Sequence, residues 1–144
     1  MFKFAGALMV LGSTVFLFSQ KVLEKYFTYK FLDDTYKILQ KIHQENSSNI
    51  SYNKIFENIR FDYHKYIEKA NGNGYINKLE IKYVKNIFEN LGKHNSISEQ
   101  ILIQNYMDNI DYKKQNYFTE YSNIKKTHIL CGIAAGLFVV ILLI

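Results

Sequence analysis

Apolar and polar positions alternate in two different ways along the chain. At its ends stand two unbroken apolar runs, FAGALMVLGSTVFLF (Phe4–Phe18) and ILCGIAAGLFVVILLI (Ile129–Ile144), neither of which contains a charged residue. Runs apolar on every side are too greasy for one face of a small core, and the pattern predicts a membrane helix at each end. Both are shorter than the roughly 20 residues needed to cross about 30 Å of hydrocarbon, so Lys3, Lys21 and His128 would have to snorkel. Lys3 followed by an apolar run also fits a secretory signal, but Leu17 spoils the small-residue pattern before a Ser19–Gln20 junction, so the reading keeps the segment as a span.

Between the runs the apolar positions recur at helical spacing. Val22, Leu23, Tyr26, Phe27, Phe31, Ile38, Leu39 and Ile42 predict an amphipathic helix continuing from the first run, ended by the polar stretch Gln44–Asn49. A second helix should bury Ile55, Phe56, Ile59, Tyr63, Tyr66 and Ile67. A third should bury Leu79, Ile81, Val84, Ile87, Phe88 and Leu91, with Gly92 as its C-terminal stop. A fourth begins at Ser96 or Ser98, with Ser96 and Glu99 at capping-box spacing, and turns Ile101, Tyr106 and Met107 inward; a fifth starts near Phe118 and runs into the last apolar stretch. The expected fold is all-α. Residues 1–20 form an N-terminal transmembrane helix, 21–50 an amphipathic helix and loop, 51–126 a helical domain, and 127–144 a C-terminal transmembrane helix.

The segment joining the second and third helices, KANGNGYINKLE (residues 69–80), carries the most specific pattern. Counted from Lys69, it places Asn71, Asn73, the Tyr75 carbonyl, Asn77 and Glu80 at alternating ligand positions, with Gly74 at the turn and Ile76 at the apolar position. From about Ile55 to Gly92 the chain resembles a calmodulin-type EF-hand. Residues 97–121 resemble a second hand in spacing, with Asn109, Asp111 and Glu120, although Lys113, Lys114 and Asn116 stand where a ligand, a glycine and an apolar residue belong. The resemblance implies a fold of two packed helix-loop-helix units. Its calcium chemistry is eroded, because the first ligand position holds Lys69. An ammonium held about 4 Å from a divalent ion would be repelled by roughly 8 kcal/mol at an effective dielectric of about 20. Only a loop one residue longer, with Glu68 as the acid, would restore a site. No metal is therefore expected, calcium being the one ion the pattern would admit, and no other cofactor is implied.

Composition changes this picture little. Eighteen Lys and Arg against 13 Asp and Glu give a net charge of +5, too dispersed for a nucleic-acid surface. The one cysteine, Cys131, excludes an internal disulfide, and four scattered histidines offer no zinc spacing. With no nucleophile turn or phosphate loop either, no catalytic residue is assigned and an enzyme is not expected. Gly132 and Gly136 form a small-residue pair suited to close helix packing.

Lysines flanking both runs place the middle segment on the cytoplasmic or matrix side of a two-span integral membrane protein. The abundance of Lys, Asn, Ile and Tyr is similar to A/T-biased coding in some protists, whose mitochondrial complexes carry many small subunits. The resulting expectation is a structural accessory subunit of a mitochondrial inner-membrane respiratory or ATP synthase assembly, with other subunits and the lipid bilayer as partners. The alternative is a membrane-tethered calcium sensor using residues 68–80, and a further one is self-association through Gly132 and Gly136.

Overall fold

A computed structural model describes residues 2–46, 51–93 and 96–143; side chains are described at Gly12, Val15 and Phe16 and then from Ser19 to Phe138, except those of residues 46–50, 53 and 94–97. All regular structure in these residues is helical: α1 (Phe2–Asn46), α2 (Tyr52–Asn58), α3 (Tyr63–Gly72), α4 (Lys78–Asn90) and α5 (Ser96–Leu143). No proline interrupts the chain. Nothing in 97–131 supplies a glycine stop either, which is why α5 runs unbroken for 48 residues.

The frame is the antiparallel pair α1 and α5. Lys25 meets Glu120, Tyr29 meets Phe118, and Asp33 meets Lys114, so advancing on one helix means retreating on the other. Thr28, Leu32, Thr35, Leu39 and Ile42 are all buried on α1, at alternating steps of four and three. On α5 the buried Ile103, Met107 and Ile110 continue into the half-buried Lys114 and Tyr117 at the same steps. This repeat of 3.5 residues keeps each apolar seam turned toward its partner helix over several turns. Both seam threonines are satisfied. Thr35 Oγ1 donates to the Phe31 carbonyl at 2.8 Å and lies 2.9 Å from the Tyr66 hydroxyl, while Thr28 Oγ1 accepts from the Asn77 amide at 3.0 Å.

The short helices lie across this pair. Ile55, Ile67, Ile81, Val84, Ile87, Phe88 and Leu91 complete the core, and a ring cluster of Phe56, Phe61, Tyr63, Tyr66 and Phe88 fills the space where α2, α3 and α4 meet. The single helix expected over Ile55–Ile67 is instead two. Arg60 takes a positive φ of 50°, and Asp62 accepts from the His64 and Lys65 amides at 3.0 and 3.2 Å, so an N-cap competes with continuation.

Four further expectations are corrected. Leu79 and Ile101 face outward, at 75% and 59% exposure, because each lies a fraction of a turn off the buried stripe that its neighbours define. The fourth and fifth helices are one, so residues 97–121 form no second loop, and no EF-hand pair exists. The boundary of the first helix moves to Asn46; the rest of the Gln44–Asn49 loop lies outside the described residues. Among the described residues no helix is long and apolar enough to cross a membrane, which corrects the two-span expectation; the side chains of much of Phe4–Phe18 and those beyond Phe138 lie outside them.

Candidate functional site

The segment expected to be a ligand loop is a short turn, Asn73–Asn77, between α3 and α4. Helix α3 extends to Gly72, so Lys69 and Asn71 sit on its exposed last turn together with the exposed Glu68. Asn73 Oδ1 accepts from the Tyr75 amide at 3.0 Å, and Asn77 Oδ1 accepts from the Leu79 amide at 2.9 Å. These are side chains shaping a turn and capping α4, which is the ordinary work of Asn at such positions. Tyr75 is exposed and stacks on Phe27 of α1 at 5.9 Å.

Glu80 takes a different course. It is buried on the first turn of α4, and both its carboxylate oxygens accept from Lys113 Nζ at 2.9 Å, with the Tyr117 hydroxyl donating at 3.4 Å. The ammonium also lies 5.0 Å above the Tyr83 ring. The carboxylate that would close a cation loop is thus neutralised by a lysine of the same chain. Burial, with Glu80 beside it, pushes the Tyr117 phenol up to about 12, and burial likewise raises that of Tyr83. Among the described residues no group of three or more His, Cys, Asp or Glu side chains is placed to hold a metal ion.

Sequence reasoning missed Lys113, Tyr117 and Tyr83. The signal was present, since Lys113 and Tyr117 are four apart and share a helix face once α5 is read as continuous. A second lysine cluster fastens the frame nearby. Lys114 bridges Asp111 at 3.0 Å and Asp33 of α1 at 3.4 Å, and lies 4.7 Å over the Tyr36 ring.

Beyond this clasp the two long helices carry exposed apolar side chains among the described residues. Val15 and Phe16 are exposed on α1; on α5 so are Ile129, Leu130, Ile133, Leu137 and Phe138, at 54–67%. A Cβ placed on Gly132 or Gly136 would meet nothing within 4 Å among the described residues. Successive positions 129–138 cover every side of the helix, and nearly all of them are exposed.

No curated protein and no solved structure matches the chain. The family model that matches is that of stage III sporulation protein AB, over residues 57–144. A bacterial sporulation family overturns the reading as an EF-hand protein, whether calcium sensor or shell, and with it the mitochondrial address and the place in a respiratory or ATP synthase complex. The match takes in the last two residues of α2, all of α3, α4 and α5, and more than half of the sequence: the chain belongs to the stage III sporulation protein AB family.

Proposed function

We propose that the chain serves sporulation as a non-catalytic assembly protein, in which a closed helical head holds two long helices together and their apolar ends dock into partner proteins. The observation that carries this reading is the apolar, all-round exposure of α5 over Ile129–Phe138. A helix apolar on every side is stable only when something else surrounds it. Gly132 and Gly136 then let a partner helix approach closely. The family name supplies the process. No cofactor has a role in this scheme.

The test replaces Ile133 and Leu137 together with serine in a host whose spore formation depends on this protein. Far-ultraviolet circular dichroism and the head's thermal midpoint should stay as in the wild type, while spore counts fall at least tenfold and chemical crosslinks from the α5 end to other proteins disappear. Unchanged spore counts and crosslinks would defeat the reading, as would wild-type arms crosslinking to nothing and partitioning into protein-free vesicles.

A further inference from the structure

Outside both the clasp and the apolar ends, a concavity of about 310 Å³ opens between α1 and α3. Its floor is apolar, made by Phe27 and the buried Phe31 of α1, the buried Ala70 of α3, and Ile76 of the turn. The floor is stiff. Phe31 stacks on Tyr66 at 5.3 Å, Phe27 stacks on Tyr75 at 5.9 Å, and the Tyr66 hydroxyl is tied to the Phe31 carbonyl at 3.0 Å. Its aromatic surface therefore stands ready without rearrangement.

The rim carries more positive than negative charge. Lys30 on one bank and Lys69 on the other line the opening, and neither has an ion-pair partner among the described residues. Asp34, one turn along α1 from Lys30, is the only carboxylate on the rim, which leaves it net positive. Such a site suits an apolar group carried between negative charges. The volume is at the low end for small-molecule sites, which usually bury most of their ligand. This groove lies open along one side, so a free molecule would leave much of its surface in water. A side chain anchored on a partner's backbone has less need of enclosure, since its flanks make the remaining contacts.

We propose that this groove docks an acidic peptide segment of a partner protein, which lays one bulky apolar side chain on the floor and sets its flanking carboxylates against Lys30 and Lys69. Asp34 is then free to accept from a peptide amide and fix the direction of the segment. The groove is on the head, so this inference stands or falls separately from the docking of the apolar ends.

The chain contains no tryptophan, so a tryptophan placed in a probe peptide is the only indole in the mixture. The probe is a short end-blocked peptide with tryptophan between glutamates, titrated with the full chain and followed by indole emission. Saturable binding is expected, weakening as salt is added. Replacing the glutamates with glutamines, or making K30E and K69E together, should each weaken it about tenfold, in line with a modest gain per exposed ion pair. The double variant should in turn prefer a peptide with lysines around the tryptophan. Both positions are exposed, so folding should be retained, and circular dichroism checks this. The control K41E with K82E makes the same charge change on exposed positions away from the groove and should bind as the wild type does. The proposal is overturned if the peptide shows no saturable binding, if the glutamine peptide binds equally, or if the control weakens binding as much as K30E with K69E. It is also overturned if 4-phenylbutyrate saturates the groove while the peptides do not, because the site would then serve a small carboxylate.

Discussion

Glu80 and Lys113 lie 33 residues apart in sequence and make the most consequential polar contact of the head. Only 9% of the Glu80 side chain is exposed, against 35% for Lys113, so the two partners are not equivalent. Removing the lysine leaves a buried carboxylate with one hydroxyl donor at 3.4 Å; removing the charge of the glutamate leaves an ammonium that can turn to water. Breaking a fully buried pair costs about 3–5 kcal/mol, and the partial exposure of Lys113 reduces that. Lys113→Met should therefore lower the unfolding free energy by about 2 kcal/mol, and Glu80→Gln by about 1 kcal/mol. Urea denaturation of the two single variants and the double variant checks this. The double variant should recover part of the loss, because no unpaired charge then remains buried. Strict additivity would mean that the contact does not couple α4 to α5.

At the scale of elements, the stops matter more than the helices. Helix α4 ends at Asn90 with the extended Leu91 as its C-cap, and Gly92 turns the chain with a φ of +82°, its amide donating to the buried Glu99 carboxylate at 2.7 Å. A Cβ on Gly92 would lie 3.1 Å from Cδ2 and 3.4 Å from Cγ of Tyr52, whose ring belongs to α2. Backbone strain and crowding then act together, and Gly92→Ala should cost about 1–3 kcal/mol. Gly72, where an added Cβ meets nothing and the φ is not positive, is the control: Gly72→Ala should be neutral or stabilising by up to about 1 kcal/mol. Thermal unfolding of both variants distinguishes the two positions, and equal effects would remove the special role assigned to Gly92.

These stops also mark how far the fold could be read from the chain. The buried stripe of α4 was legible at Ile81, Val84, Ile87, Phe88 and Leu91 because a single helix with one covered face obeys a simple period. Leu79 was misplaced because one apolar residue near a helix start says little about which face it joins. The break at Arg60 and the unbroken course of α5 were not legible. The first rests on competition between an Asp62 cap and helix continuation; the second rests on helix-compatible residues at Lys113–Gln115, where an imposed loop pattern had asked for a turn. The loop pattern itself misled for a chemical reason. Asn at alternating positions followed by Glu serves a cation site, but also serves turn formation, capping and an internal ion pair.

For the whole molecule, charge and proton binding follow from the same packing. Three tyrosine phenols, Tyr66, Tyr83 and Tyr117, are raised above the usual value near 10, chiefly by burial, Tyr117 to about 12. All three sit where the short helices meet the α1–α5 pair. A phenol whose folded value is raised is held neutral in the folded state, so the unfolded chain loses its proton first. The stability it supports is fully present below about pH 10 and is lost as pH rises toward the folded value. On the acid side Asp33 is lowered, first by the hydrogen bond from Lys37 and against the opposing effect of burial. Its contribution is present above the usual carboxylate range and fades as pH falls through its folded value. The unfolding free energy should thus be nearly flat through neutral pH and fall between about pH 10 and 12 on the alkaline side, where the chain's net charge of +5 is also being titrated away. Tyr117→Phe removes the phenol that lies against Glu80, so its alkaline slope should be shallower than that of the wild type while its neutral-pH stability changes little. A pH series of urea midpoints for the two proteins measures both quantities. Identical alkaline limbs would mean that Tyr117 titrates as freely in the folded head as in the unfolded chain, and that the clasp around Glu80 is open to water.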